Sequence, residues 1–116
     1  MYMDILIIED DKYLREAYIE ILSLEGHRVL GVSNVSDALA QLDSLGFDLV
    51  ISDANLGMQD AVTSLFEAFY SIKSRGTQVM VISGNASVQD ACSQYGFAFL
   101  LKPFSPTELL RSIPGV

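Results

Sequence analysis

The sequence contains one cysteine, Cys92, and one histidine, His27. A single thiol cannot form a disulfide within the chain, and it lacks the partners that a cysteine-based metal site needs. Cys92 is therefore expected to pack in a helix, and a reducing cytoplasm is the expected location. His27 follows the helix-ending Gly26, so we expect it at the surface rather than in a ligand role.

Long hydrophobic stretches and basic residues are also scarce. The longest apolar runs, such as Ile5 to Ile8 and Val79 to Ile82, fall far short of the roughly 20 residues that a membrane span needs. A signal peptide pattern is absent. Seven basic residues stand against fifteen acidic ones, which gives a formal net charge of −8. We therefore expect neither membrane insertion nor nucleic-acid binding by this chain.

The 116 residues are half hydrophobic and include only three prolines. This length and composition suit one compact domain with a buried core, and residues 1–116 are predicted to form it. Any output domain or effector would then lie outside this chain.

Short apolar runs alternate along the chain with segments of helical periodicity. The apolar runs predict five strands, at Asp4–Glu9, Arg28–Val32, Phe47–Ser52, Gln78–Ser83 and Phe97–Leu101. The periodic segments predict the helices, at Lys12–Glu25, about Ser36–Leu45, Thr63–Ser74, Val88–Tyr95 and from near Thr107. This alternation predicts a doubly wound α/β domain, in which a five-stranded parallel sheet carries helices on both faces.

Polar residues stand where the predicted strands end. In open parallel sheets, ligands bind outside the carboxyl ends of the strands. The residues at these ends are Glu9, Asp10 and Asp11 for the first strand, Asp53 for the third, Ser83 for the fourth and Lys102 for the fifth. The sequence therefore predicts that four strand ends converge on one pocket.

Crowded carboxylates repel one another unless a cation neutralises them. Oxygen ligands without a histidine or cysteine cluster favour Mg²⁺, and Mn²⁺ should substitute. Phosphoryl transfer depends mainly on positioning and charge neutralisation, so the carboxylate of Asp53 could act as its nucleophile without a general base. The Lys102 ammonium would balance charge on the phosphoryl oxygens, and the Ser83 hydroxyl would donate a hydrogen bond to one of them.

Several of these residues also have ordinary structural interpretations. Asp11 is best explained as part of a solvated turn at the N-terminus of the first helix, where an acidic residue suits the helix macrodipole. Ser83 would also suit a turn or a helix cap, and Phe99 would also suit the core.

Four separated motifs agree with one known family. They are Ile5–Asp11 (ILIIEDD), Asp48–Asp53 (DLVISD), Val81–Gly84 (VISG) and Phe99–Phe104 (FLLKPF). In this order and spacing they resemble the receiver domains of response regulators, the CheY-like superfamily of two-component signalling, over essentially the whole chain. The resemblance implies a flavodoxin-like fold with strand order 2-1-3-4-5.

The resemblance also implies a function and a ligand set. Asp53 would accept a phosphoryl group from a histidine of a kinase or phosphotransfer protein, and the domain would catalyse only its own phosphorylation and dephosphorylation. Asp10 and Asp53 would contact the metal directly, Glu9 would act through a bound water, and the backbone carbonyl of Asn55 would complete the protein ligands.

A conformational switch is the third implication of the resemblance. Phosphorylation would draw Ser83 toward the pocket, and Phe99 would swing inward. The surface formed by the fourth helix, fifth strand and fifth helix would then change. The Lys102–Pro103 bond is expected to be cis, which would aim the lysine into the site.

Two alternatives remain open at this point. A hydrolase of the haloacid dehalogenase type also uses an aspartate after a buried strand, but it needs a second aspartate two residues on, where this chain has Asn55. The other alternative is a receiver fold that signals without phosphorylation, because the segment from Ala54 to Ala61 departs from the family pattern. Metal binding would separate that alternative from an active receiver.

Overall fold

The computed structural model describes residues 2–54 and 62–114, with side chains in the second range from residue 65 onward. Strands and helices alternate in these ranges. Their bounds are β1 Asp4–Ile8, α1 Lys12–Leu24, β2 Arg28–Val32, α2 Val35–Ser44, β3 Leu49–Asp53, α3 Val62–Ser74, β4 Gln78–Ser83, α4 Val88–Tyr95, β5 Ala98–Leu101 and α5 Pro106–Ser112. The strands form one parallel sheet in the order β2-β1-β3-β4-β5. The predicted fold class and strand order are confirmed.

The sheet separates two hydrophobic layers. Helices α1 and α5 pack on one face, where Leu22 and Leu109 are fully buried against the sheet. Helices α2, α3 and α4 cover the other face, where Ala38, Phe66 and Cys92 are buried. The expected packing role of Cys92 is confirmed. Because both faces are covered, the edge at the carboxyl ends of the strands is where polar side chains of different strands can meet.

Local signals explain where the helices begin. Asp11 lies at the N-terminus of α1, as predicted, and there its side chain caps the helix by accepting hydrogen bonds from the backbone N–H groups of Tyr13 at 2.9 Å and Leu14 at 3.2 Å. Helix α5 begins at Pro106, one residue before the prediction, because Ser105 forms a capping box with Glu108.

The structure corrects the bounds of several predicted elements and the environment of one residue. Strand β1 ends at Ile8 rather than Glu9, and β5 begins at Ala98 rather than Phe97. Strand β3 begins at Leu49 and includes Asp53, since Asp53 still pairs with Ile82 of β4. His27 is half-buried rather than at the surface, because its Nδ1 accepts a hydrogen bond from the backbone N–H of Met3 at 3.0 Å. As for a membrane, none of the helices in the described ranges is long and apolar enough to cross one.

Candidate functional site

Asp53 and Lys102 meet at the carboxyl edge of the sheet. Asp53 ends the central strand β3, and its side chain is 8% exposed. Lys102 follows strand β5, two strands away in the sheet. Its Nζ donates a hydrogen bond to Oδ2 of Asp53 at 2.5 Å. The two oppositely charged groups predicted to share a pocket therefore form an ion pair inside it.

The pKa of Lys102 reflects this pairing. Burial lowers the pKa of the ammonium, but the hydrogen bond to Asp53 and the negative charge of that carboxylate raise it, and the net change is upward. Lys102 therefore carries its positive charge at neutral pH.

The backbone also fixes the position of Lys102. Its N–H donates to the carbonyl of Ser83 at 2.9 Å, which ties the end of β5 to the end of β4. The Lys102–Pro103 bond is cis, the isomer that the resemblance implies. On the far side of the proline, the ring of Phe104 stacks on Tyr18 of α1, with centroids 5.7 Å apart.

Glu9 is buried, and only one of its two carboxylate oxygens has a hydrogen-bond partner among the described residues. The residue is 2% exposed, and its Oε2 accepts a hydrogen bond from the backbone N–H of Asp11 at 3.1 Å. Its Oε1 is buried and has no hydrogen-bond partner among the residues that the structure describes. A buried carboxylate oxygen without a donor is costly. A cation or a water held by a cation would satisfy it.

The pKa of Glu9 reflects its burial and the carboxyl groups near it. Burial is the largest cause of a rise to about 7; the hydrogen bond from the Asp11 backbone lowers the pKa, while the carboxyls of Asp10 and Asp53 raise it further. Asp10 itself is exposed at the mouth of the pocket. Three carboxyl groups thus approach one another, although one of them is already paired with Lys102.

The oxygen donors around Asp53 and Glu9 suit Mg²⁺. Across residues 2–54 and 62–114, no three His, Cys, Asp or Glu side chains form a group that could hold a metal ion. Mg²⁺ does not require such a cage, because it keeps several waters and uses one or two carboxylates. The donors here are carboxylate oxygens, and one of them is buried without a partner. The fit is therefore good; the predicted ligand Asn55 lies outside the described residues.

The two residues assigned to the switch, Ser83 and Phe99, lie on the neighbouring strands β4 and β5. Ser83 is 8% exposed, and its Oγ accepts a hydrogen bond from the backbone N–H of Asn85 at 3.0 Å. Because a hydroxyl that accepts still has its own proton to donate, Ser83 can also serve as a donor. Phe99 pairs with Val81 in the sheet and is half-buried against the core. The aromatic side chain is thus neither fully buried nor free in solvent.

Comparison with known proteins identifies the family. Residues 5–114 match the response regulator receiver domain family. The chain belongs to this family. Among its relatives, the response regulator protein FleR of Pseudomonas aeruginosa is 32% identical over 115 residues, which are 95% of this chain and 24% of that protein. The swarming motility regulation protein RssB of Serratia marcescens is 27% identical over 117 residues, covering 98% of this chain and 52% of that protein.

Solved structures agree with this assignment. NtrX of Brucella abortus superposes with a TM-score of 0.82 at 28% identity, over 96% of this chain and 25% of that chain. The chemotaxis response regulator CheY4 of Vibrio cholerae superposes with a TM-score of 0.81 at 22% identity, over 97% of this chain and 96% of that chain. At this identity the similarity shows the fold alone. The receiver domain described here therefore spans a quarter to about half the length of the curated relatives named above.

The structure also brings residues to the receiver site that the sequence did not single out. Nη1 of Arg15 donates to the backbone carbonyl of Glu9 at 2.8 Å. Tyr18 lies close enough to Lys102 and the acidic residues for their charges to affect its pKa, which burial raises most. A basic residue in the first half of a helix, where the macrodipole disfavours it, was the available signal for Arg15.

Proposed function

We propose that this receiver domain accepts a phosphoryl group on Asp53 in a Mg²⁺-dependent reaction, from a histidine of a partner kinase or phosphotransfer protein. The observation that carries the proposal is the buried carboxylate of Asp53, paired with the Lys102 ammonium at the carboxyl edge of the sheet. The half-satisfied carboxylate of Glu9 beside it supports a cation at the same place.

The chemistry needs little from the protein beyond position and charge. A carboxylate oxygen of Asp53 forms a bond to phosphorus while the phosphorus–nitrogen bond of the donor breaks, and the histidine leaves with its electron pair. The product is an acyl phosphate on Asp53. The transition state is loose, so charge neutralisation on the phosphoryl oxygens contributes most of the acceleration.

Lys102 supplies one part of that neutralisation. Its ammonium already lies against Asp53 and can form a charge-assisted hydrogen bond to a phosphoryl oxygen. Mg²⁺, held by Asp10, Asp53, the carbonyl of Asn55 and, through water, Glu9, would supply the remainder; Mn²⁺ would substitute.

Phosphorylation would be transmitted through Ser83 and Phe99. The Ser83 hydroxyl, which now accepts from the Asn85 N–H, would donate to a phosphoryl oxygen. Phe99 would then move from its half-buried position further inward, and the surface of α4, β5 and α5 would change. That surface is where we place the contact with an output domain or effector outside this chain. A cytoplasmic site of action agrees with this partnership.

Intact mass measured after incubation with acetyl phosphate tests the proposal. Wild-type protein should gain the mass of one phosphoryl group with Mg²⁺ and none with chelator. Asp53→Asn should gain none, whereas Asp43→Asn should behave as wild type, because Asp43 is 70% exposed and pairs with Arg75 away from the site. An adduct on Asp53→Asn would contradict the choice of acceptor. No adduct on wild type, together with no binding of a beryllofluoride phosphoryl mimic, would favour a receiver fold that signals without phosphorylation.

A further inference from the structure

The side chain of Arg15 passes over strand β2 and reaches the backbone at Glu9, just after strand β1. Arg15 is the fourth residue of α1, and its Nη1 donates to the carbonyl oxygen of Glu9 at 2.8 Å. Its stem lies directly over Gly31 of β2. A Cβ on Gly31 would lie 2.9 Å from Cγ and 3.1 Å from Cδ of Arg15, closer than side-chain carbons normally approach. The same Cβ would lie 2.6 Å from Cδ1 of Ile19, so the missing side chain at Gly31 leaves room for both Ile19 and the arginine stem.

The carbonyl that Arg15 binds lies between Glu9 and Asp10, the acidic pair, so its position affects where both carboxylates point. The Glu9 carbonyl and the Asp10 N–H belong to one rigid peptide plane. On one side of this plane, the Glu9 N–H is fixed by the carbonyl of Val32 at 3.0 Å. On the other side, the Asp11 N–H donates to Oε2 of Glu9 at 3.1 Å. Without Arg15, the Glu9 carbonyl in the peptide plane between these two hydrogen bonds would lose the donor that binds it.

We infer that Arg15 is a positioning residue, which holds the Glu9–Asp10 peptide so that both carboxylates face the cation, and that Gly31 is required because its bare backbone admits the arginine stem. The inference rests on the proposed Mg²⁺ site. It concerns a residue that contacts neither the cation nor the phosphoryl group.

A purely electrostatic role for Arg15 predicts the opposite result. Its positive charge near the acidic pair repels a divalent cation, so removal of the charge alone would strengthen Mg²⁺ binding. Loss of positioning would instead weaken binding, by about tenfold if Arg15 behaves like other outer partners of metal ligands. The sign of the change therefore separates the two roles.

The experiment is a Mg²⁺ titration followed by amide chemical shifts, with Arg15→Met and Gly31→Ala. Arg15→Met keeps most of the stem and removes the donor, while Gly31→Ala displaces the stem and leaves the net charge unchanged. Arg111→Met is the matched control, because it makes the same change in charge at an exposed position beside Tyr2 and Glu25, away from the pocket. We expect about tenfold weaker binding for the first two variants and no weakening for the control.

A readout without metal keeps the test independent of the proposed function. When a chelator removes Mg²⁺, the chemical shift of the Asp11 amide should change in Arg15→Met and in Gly31→Ala. Its hydrogen should also exchange faster with solvent, because the acceptor on Glu9 is no longer held in place. Equal or tighter Mg²⁺ binding by Arg15→Met, or an unchanged Asp11 amide, would overturn the inference. If Gly31→Ala fails to fold because Ile19 also contacts that position, Arg15→Met decides alone. Wild-type protein that binds no Mg²⁺ would refute the proposed function, while the Asp11 amide would still test Arg15.

Discussion

Replacing Lys102 with methionine should destabilise the metal-free domain, because it leaves the Asp53 carboxylate without its ammonium partner. The two side chains are 28% and 8% exposed, so the pair is mostly removed from water. At an effective dielectric constant of about 20, unit charges about 3 Å apart attract by about 5 kcal/mol. The lost hydration of both ions offsets much of that attraction.

The expected cost is that of a buried carboxylate that has lost its ammonium partner. Breaking a fully buried pair costs about 3–5 kcal/mol, and the partial exposure of Lys102 places this pair near the lower end, at about 3 kcal/mol. An unfolding entropy of about 2.1 cal/mol/K per residue over the 116 residues converts this loss into a fall of about 12 °C in Tm.

Urea unfolding and calorimetry in chelator measure this change. Lys73→Met is the matched control, because it removes the same charge from an exposed lysine and should stay within about 0.5 kcal/mol of wild type. The double variant with Asp53→Asn should cost less than the sum of the single variants, with a coupling of about 2 kcal/mol. The reasoning fails if Lys102→Met unfolds like the Lys73 control, or if the double variant is additive.

Three further predictions concern the pocket and the core. Mg²⁺ at ten times its Kd should stabilise wild-type protein by about 1.4 kcal/mol in urea unfolding, and Glu9→Gln should lose most of this gain. Burial raises the pKa of the Cys92 thiol to about 11, against about 8.5 when unfolded. The resulting stabilisation is therefore present below pH 8.5 and declines toward pH 11, by about 1.4 kcal/mol at pH 9.5. Cys92→Ala should flatten that decline in unfolding measured against pH. Phe66→Ala should cost about 3–5 kcal/mol, while Tyr13→Ala, 81% exposed, should cost under about 0.5 kcal/mol.

The sequence predicted the elements that local patterns determine. Apolar runs marked each strand, and apolar residues at helical spacing marked α1, with the acidic Asp11 at its N-terminus. Lys102 could be placed in the pocket because the topology of a parallel sheet brings successive strand ends to one edge. These predictions required no knowledge of how side chains pack.

Contacts that depend on packing could not be predicted in the same way. Arg15 reaches Glu9 only because α1 crosses β2 at Gly31, and that crossing is a property of the assembled layers. The half-burial of Phe99 follows from the position of β5 at the edge of the sheet. His27 was expected at the surface because its acceptor role toward Met3, 24 residues earlier, has no local signal.

The charges around Asp53 argue against a receiver that has lost its chemistry. Three carboxyl groups approach one another, and Lys102 is paired directly with Asp53, whereas the guanidinium of Arg15 donates to the backbone carbonyl of Glu9 rather than to a carboxylate. Oε1 of Glu9 is buried and has no hydrogen-bond partner among the described residues, and the pKa of about 7 leaves this carboxyl group partly protonated at neutral pH. A receiver domain that acts only through its surface, without phosphorylation, would be more stable with an apolar or amide side chain in place of Glu9. A cation at the proposed Mg²⁺ site would satisfy this oxygen, and for that reason we expect an active receiver rather than one that signals without phosphorylation.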